Sequence, residues 1–427
     1  MDQSNYAEIS IVPASHFSGR ASAPGPFAPR QRSARGASDI GRCWHPLRLA
    51  VSLASALCSV LLAVAFAPRS APAQSPDVRP FLIGTYTGET SRGIYRSEMD
   101  VASGRLAPAR LVAECTNPSF LAIHPTQPVV YAVSETPDGQ VLAFRLVQDG
   151  TLRLLSRHAS AGSAPCYVTT DASGRYVLIA NYSSGSIVAF RAREDGDIEA
   201  MTYLAQHRGH SVNPRRQQGP HAHCVQMDPT DRFACAVDLG LDQIIVYELD
   251  KSDGALRRTS TYQARPGSGP RHLAFHPGGS LAVVIHELAS EITSLRWLPD
   301  EGRFIELTTV STLPAGYAGE NYTAEVLFHP NGRWVYGSNR GHDSIAIFRI
   351  DAEGHLHAVG HCSTGGKTPR NFRIDPSGRY LLAENQNSNS IQVLRIDAQT
   401  GQLAAIDGAG VEVGKPVCIR FLPQLVP

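Results

Sequence analysis

Two histidines, His221 and His223, stand two positions apart in a short apolar stretch, and an acidic residue, Asp238, follows further along. On a β-strand, residues two apart face the same side, so both imidazoles would point to one place. A neutral imidazole can act as a general base or as a metal ligand. A metal site needs at least a third ligand within reach, and none is clear. The pattern therefore favours acid–base chemistry, and we predict no metal and no other cofactor.

Comparable polar residues recur along the chain at two kinds of position. The starts of one set of predicted strands supply Asn117, His221, His223, Arg271, Glu325 and Arg370. The ends of the strands that follow them supply Glu135, Asn181, Asp238, Glu287, Asn339, Arg340 and Asn385. Such a recurrence indicates an internal repeat, and the repeat decides the fold.

Short strands must position these residues. From Phe81 onward the chain consists of runs of four to eight residues, rich in Val, Ile, Phe and Tyr and bounded by Gly, Pro, Asp or Asn, which is typical of strands and turns. The turns between first and second strands fall near positions 124, 171, 228, 276, 329 and 375, 46 to 57 residues apart. Four strands at about that period are typical of a propeller blade.

Counting first strands predicts seven blades. The last first strand, from Lys415 to Leu422, has nothing after it, whereas the segment 81–112 supplies later strands without a first one. The two ends therefore complete one blade together and leave neither sheet edge unpaired. We predict an all-β, seven-bladed propeller over residues 80–427. A β-sandwich, the main alternative, explains neither the period nor the split unit.

The topology of a blade brings the recurring polar residues together. The innermost strand lines the channel and the second runs antiparallel to it, so the start of one and the end of the other share a mouth. Convergent polar groups around a funnel are typical of a small-molecule site. Structural roles stay open: Arg271 and Arg370 can bond to loop carbonyls, and Glu287 and Glu325 can pair with arginines. The insertion at 207–216 is either a solvated loop or a cover.

Composition limits the other functions. The 427 residues are 42% hydrophobic with a formal net charge of +1, so no basic field points to nucleic acid.

Residues 1–48 are rich in Ser, Ala, Pro and Arg and are predicted to be disordered. Residues 49–67 carry no charge, and Ala71-Pro72-Ala73 precedes Gln74. We interpret 49–75 as a signal peptide or a membrane anchor, and therefore expect an exported protein without a disulfide framework.

The motifs together resemble a known family, the seven-bladed propeller lactonases, which include propeller-type 6-phosphogluconolactonases and the fungal carboxymuconate lactonising cyclase. The resemblance rests on motifs spread over residues 80–423: Phe81-Leu82-Ile83-Gly84-Thr85-Tyr86-Thr87, Asn117-Pro118-Ser119, Gly219-Pro220-His221-Ala222-His223, Gly269-Pro270-Arg271-His272, Ala324-Glu325-Val326, Ser338-Asn339-Arg340 and Pro369-Arg370-Asn371. His286-Glu287-Leu288 departs from the Asn-Glu-Leu of many members.

This resemblance implies catalytic residues: a histidine, which is His221 or His223, together with Arg271, Glu287 and Arg340. We assign substrate binding to other residues of the same mouth: Glu325, Arg370, Asn181, Asp238, Asn339 and Asn385. The implied activity is hydrolysis of a sugar-acid lactone by water, with a histidine or Glu287 as base and the arginines on the oxyanion. The alternatives are a lactonising cycloisomerase and a non-catalytic propeller that binds a small molecule or a protein. Export conflicts with a cytosolic phosphorylated substrate.

Overall fold

The computed structural model describes residues 77–423, which form seven antiparallel sheets with one single-turn 3-10 helix, Gln386–Ser388. The strands are β1 (Val78–Thr85), β2 (Gly93–Asp100), β3 (Arg110–Glu114), β4 (Leu121–Ile123), β5 (Val129–Ser134), β6 (Gln140–Leu146), β7 (Leu152–Ala159), β8 (Pro165–Thr170), β9 (Tyr176–Asn181), β10 (Ser186–Ala192), β11 (Ile198–Gln206), β12 (Ala222–Met227), β13 (Phe233–Asp238), β14 (Gln243–Leu249), β15 (Leu256–Gln263), β16 (Pro270–Phe275), β17 (Leu281–His286), β18 (Glu291–Leu298), β19 (Arg303–Ser311), β20 (Tyr322–Phe328), β21 (Trp334–Arg340), β22 (Ser344–Ile350), β23 (Leu356–Ser363), β24 (Pro369–Ile374), β25 (Tyr380–Asn385), β26 (Ser390–Ile396), β27 (Leu403–Ala405), β28 (Val411–Glu412) and β29 (Pro416–Phe421). The predicted disordered segment 1–48 and the predicted signal or anchor 49–75 lie outside the described residues.

Each sheet is one blade, numbered by its innermost strand. Blades 1 to 6 begin with β4, β8, β12, β16, β20 and β24 and run outward in chain order, with β28 as an extra short strand beside β26 in blade 6. Neighbouring innermost strands pack against each other all the way round the ring. The predicted all-β, seven-bladed propeller is therefore confirmed.

The seventh blade joins the two ends of the chain. Its order is β29-β1-β2-β3, and β1 pairs antiparallel with β29 through partners such as Phe81 with Phe421 and Ile83 with Ile419. β1 therefore acts as the second strand of this blade and the C-terminal strand as the first. The split blade predicted from the unmatched segments at both ends is confirmed.

Burial explains why these segments form strands in these places. Second strands such as β5, β9 and β13 are buried at every position, since both faces pack against neighbouring blades, and they read as continuous apolar runs. Outermost strands such as β15 are exposed or half-buried at every position after the first. Side chains including Trp297, Phe233 and Phe304 fill the space between blades.

A β-bulge in the innermost strands decides what faces the channel. The register shifts between Pro165 and Tyr167 in β8, between Ala222 and Cys224 in β12, between Pro270 and His272 in β16, and between Pro369 and Asn371 in β24. A bulge re-aims the extra residue. The skipped residues are Cys166, His223, Arg271 and Arg370, and all four line one cavity in the channel. We call this place in each blade the bulge position.

Candidate active site

Glu287 lies at the centre of an arginine cluster at one mouth of the channel. Its Oε2 accepts hydrogen bonds from Arg271 Nε at 3.0 Å and Arg340 Nη2 at 2.7 Å, and its Oε1 accepts one from Arg216 Nη2 at 2.5 Å. Only 6% of the Glu287 side chain is exposed. Burial alone would raise the pKa of Glu287, but Arg340, Arg271 and Arg216 outweigh it and hold the pKa well below its usual range. Glu287 is therefore ionised at neutral pH.

The backbone fixes the two arginines of the cluster that lie on strands. Arg340 Nη2 also donates to the carbonyl of Thr323 at 2.8 Å, and Arg271 Nη1 donates to the carbonyl of Ala324 at 2.7 Å. Burial lowers the pKa of Arg340 to about 10 although Glu287 opposes it, so the guanidinium keeps its charge at neutral pH. Its buried Nε has no partner among residues 77–423. Three positive groups thus surround one carboxylate.

A small polar cavity adjoins this cluster. It measures about 10 Å³, room for about one water molecule. It is lined by Ser119 and by side chains at the bulge positions: Cys166, His223, Arg271, Arg370 and, in the closing blade, Val417. His223 is 4% exposed, and its Nδ1 lies 3.7 Å from Cys166 Sγ. Burial, with the charge of Arg271, lowers the pKa of His223 well below its usual value. Its imidazole is therefore neutral, with one nitrogen able to accept a proton.

The far wall of the cavity carries an acid and an arginine. Glu135 Oε2 accepts hydrogen bonds from the Tyr86 hydroxyl at 2.8 Å and from Ser119 Oγ at 2.5 Å. Burial raises the pKa of Tyr86, so its phenol stays protonated. The guanidinium of Arg370 lies 5.4 Å from the centre of the Tyr86 ring. Among residues 77–423 that guanidinium has no hydrogen-bond partner and no carboxylate within 4.0 Å, which leaves its N–H groups for a ligand.

His221 occupies the rim rather than the cavity. Its ring stacks on Tyr182 with 4.5 Å between ring centroids, and its Nδ1 lies 3.0 Å from the Tyr182 carbonyl oxygen. Because a carbonyl only accepts, Nδ1 carries the proton there. The Tyr182 hydroxyl accepts a hydrogen bond from Arg216 at 3.2 Å. His221 thus joins the cluster through Tyr182, whereas His223 shares the cavity with Arg271.

Glu325 lies one layer deeper than predicted. Its Oε1 accepts from His272 Nδ1 at 2.9 Å and its Oε2 from Asn371 Nδ2 at 2.7 Å. Burial lowers the pKa of His272 to about 4, so this imidazole is neutral and its Nε2 accepts from Arg271 Nη1 at 3.2 Å. Glu325 therefore orients Arg271 through His272, and we withdraw it as a substrate contact.

The four predicted binding residues at strand-two ends are turned away from the mouth. Asn181, Asp238, Asn339 and Asn385 are fully buried. The three amides donate to carbonyls that follow the outermost strand of the preceding blade, at Ser160, Thr312 and Thr364, and Asp238 accepts from His207 and from the His221 N–H. Alternate residues of a strand face opposite sides. The residues that follow Asn181 and Asn339, Tyr182 and Arg340, belong to the site instead, so these two predictions were offset by one position.

Two further groups of the site were left out of the sequence-based assignment. Arg216 belongs to the insertion at 207–216, for which a solvated loop and a cover both stayed open; its side chain is only 34% exposed because it binds Glu287. The available signal was the position of the insertion, directly before His221. Tyr86 was missed although it follows β1, the second strand of the closing blade, so its place after a second strand was the available signal.

The described residues contain neither a cluster suited to a metal ion nor a membrane-length helix. Within 77–423, no three His, Cys, Asp or Glu side chains are grouped so that they could hold a metal. No helix in that range is long and apolar enough to cross a bilayer. The six cysteines of residues 77–423 are free thiols.

The fold and the site together define a propeller whose channel mouth is built for a small polar ligand. Residues 80–421 match the family model described as "Lactonase, 7-bladed beta-propeller", and the chain belongs to that family. A 6-phosphogluconolactonase of Bacillus subtilis is 36% identical over 347 residues, which are 80% of this chain and 98% of that relative.

Solved structures agree with this assignment. The periplasmic gluconolactonase of Pseudomonas aeruginosa superposes with a TM-score of 0.77 at 32% identity, over 82% of this chain and all of that one. A protein from Lactobacillus plantarum superposes with the same TM-score at 33% identity, over 81% of this chain and all of its own length. The resemblance predicted from the motifs is confirmed.

Proposed function

We propose that this protein hydrolyses a sugar-acid lactone of the gluconolactone type at the Glu287 mouth of the channel. The observation that carries the proposal is the convergence of Arg271 and Arg340 on Glu287 beside the cavity that holds His223. Membership of a lactonase family supports it. The names of the Bacillus and Pseudomonas relatives both refer to a gluconolactone, and only the Bacillus name specifies a 6-phosphate.

The roles follow from the state of each group. The neutral imidazole of His223 takes a proton from a water held in the cavity, which attacks the lactone carbonyl. N–H groups of Arg271 and Arg340 stabilise the resulting oxyanion. When the oxyanion collapses, the ring C–O bond breaks and the His223 imidazolium returns its proton to the departing ring oxygen. Glu287 positions these arginines. It is a poor base, because both of its oxygens already accept hydrogen bonds from arginines.

Arg370 is the group best placed to distinguish substrates, because it faces the cavity with no acidic partner in the described part of the chain. We expect purified full-length protein to open glucono-1,5-lactone, and Arg370→Gln to raise KM about tenfold or more for its 6-phosphate ester only, since loss of a bidentate phosphate contact weakens only that substrate. Ring opening is followed by acid release at constant pH. Arg395→Gln, an exposed change in blade 6, is the control.

Two outcomes would contradict this function, and a third would change the role of Arg370. If no lactone of the panel is opened while the ligands still bind, the protein is a binding propeller. If carboxymuconate is converted to a lactone and no sugar lactone is hydrolysed, the cycloisomerase alternative is correct. Equal loss of both gluconolactones in Arg370→Gln would assign Arg370 to catalysis instead of phosphate recognition.

We propose further that residues 49–75 direct export, as the charge-free run and the Ala71-Pro72-Ala73 site predict. The Pseudomonas relative is named as periplasmic. In a Gram-negative host, mass spectrometry of the exported protein is expected to find Gln74 as the first residue. An N-terminus upstream of Leu49 on membrane-bound protein would show an anchor, and soluble cytoplasmic protein that retains residues 49–75 would contradict export.

A further inference from the structure

The channel has a second polar region at its opposite end. Beyond the bulge, side chains alternate again, so the residue three positions after each bulge position also faces inward. In four of the blades these inward-facing residues are Thr169, Gln226, Arg373 and Arg420. They line a cavity of about 600 Å³. This volume is in the range of small-molecule sites.

An aromatic layer separates this cavity from the catalytic mouth. The rings of Phe120 and Tyr167 stack with centroids 4.0 Å apart, and His272 meets both edge-on at 5.9 and 5.3 Å. Phe120 and His272 line the catalytic cavity, whereas Tyr167 lines the opposite one. A ligand in the second cavity would therefore not touch His223 or Arg271.

Two arginines from adjacent strands, Arg373 on β24 and Arg420 on β29, dominate the charge of this cavity. Arg420 places its guanidinium 4.5 Å from the Phe120 ring centroid and donates from Nη1 to the Ile419 carbonyl at 2.8 Å. Arg373 makes no side-chain hydrogen bond within residues 77–423, and neither arginine has a carboxylate within 4.0 Å there. Burial and the charge of Arg420 both lower the pKa of Arg373, as expected of two like charges held close together.

No acid near this pair forms a direct ion pair with either arginine within residues 77–423. Both oxygens of Glu325 are engaged by His272 and Asn371. Burial raises the pKa of Glu384 well above its usual range, so this fully buried side chain is protonated. Asp375, which lines the cavity, uses its oxygens to accept the N–H groups of Ser377 and Tyr380. The N–H groups of both arginines are therefore left without a carboxylate partner among the described residues.

We propose that this cavity is a second binding site, for a small molecule that carries a phosphate or carboxylate group. Arg373 and Arg420 would grip the oxyanion through free guanidinium N–H groups, which suit bidentate binding. Tyr167 donates its hydroxyl to Gln226 Oε1 at 3.2 Å, which leaves the Gln226 amide N–H groups for the ligand. The hydroxyls of Thr169 and Thr170 complete a polar wall. This site goes beyond lactone hydrolysis and does not depend on it.

The test is calorimetric titration of the full-length protein with inorganic phosphate and, separately, with citrate at low ionic strength. An Arg370→Gln background removes the competing anion contact at the catalytic mouth. In that background we expect binding to persist, and to weaken at least tenfold when Arg373→Gln or Arg420→Gln is added. Tighter binding of phosphate or of citrate shows whether the natural ligand carries a phosphate or a carboxylate group. Exposed Arg395→Gln is the matched control, and added salt is expected to weaken binding.

Unchanged affinity in both double variants would overturn the proposal, as would absence of binding by the Arg370→Gln protein. If a glutamine variant fails to fold, Arg373→Lys and Arg420→Lys retain the charge and lose the paired donors, so weaker binding is still expected. Selenate soaked into crystals locates the anion directly, and an anion found only elsewhere would refute the site. Lactone turnover by Arg373→Gln without phosphate is expected to match that of the wild type.

Discussion

Replacement of His223 by glutamine is expected to lower kcat for lactone opening by about 10²- to 10⁴-fold, the usual contribution of a general base. His223 occupies a bulge position, faces the same cavity as Arg271, and is neutral because burial and that arginine lower its pKa. Glutamine keeps a polar side chain of similar size but cannot accept the proton. Steady-state kinetics on the gluconolactone substrates would measure the loss.

His221→Gln is the matched control for this prediction. His221 stacks on Tyr182 at the rim, so we expect its replacement to change KM more than kcat. A large loss of kcat in His221→Gln with little change in His223→Gln would transfer the role of base to His221. Cys166→Ser, next to His223, is expected to keep activity, because burial raises the pKa of the Cys166 thiol well above its usual value and water is the proposed nucleophile.

Glu287→Gln is expected to destabilise the folded protein by about 3–5 kcal/mol, because it removes the single carboxylate that three guanidinium groups share in a buried place. Urea unfolding of the full-length variant would measure the change. Glu248→Gln breaks an exposed pair with Arg232 and is expected to cost less than about 1 kcal/mol. Equal effects of the two changes would mean that the cluster contributes no more than a surface ion pair.

The same cluster predicts how stability depends on pH. The folded-state pKa of Glu287 is depressed below its ordinary value of 4.5, so its contribution is fully present above that value and is lost as the pH falls below it. As the pH is lowered from about 5, the free energy of unfolding of the wild type should therefore fall more than that of Glu287→Gln. Parallel acid unfolding curves for the two proteins would contradict an ionised Glu287.

The fold was predictable because it rests on features that every blade repeats. Each turn between the first two strands is closed locally, as where Asp228 accepts the N–H of Phe233 and His329 accepts that of Asn331. Such local patterns are visible in the sequence. The shared seventh blade followed from counting, because Lys415 to Leu422 lacked partners and the segment 81–112 lacked a first strand.

The site was predictable only in part, since its details depend on shifts of a single residue. The positions of Arg271, Glu287 and Arg340 follow from strand starts and ends, and the structure brings them into contact. The bulges that turn His223 and Arg370 inward are departures from regular alternation that the residue types do not reveal. The direction of Asn339 and the reach of Arg216 from its loop depend on contacts with other blades.

The closing blade also has a consequence for the order of folding. Phe81 pairs with Phe421, which lies 340 positions further along the chain. Closing a loop of that length in an otherwise unfolded chain costs about 5 kcal/mol of entropy before any constant term. Once the intermediate blades have formed, the two ends are already neighbours. Most of the entropy cost has then been incurred in closing the shorter loops within and between those blades. The pairing of β1 with β29 is therefore expected to form last, after β29 has been synthesised. The complete channel then requires β29 to be present.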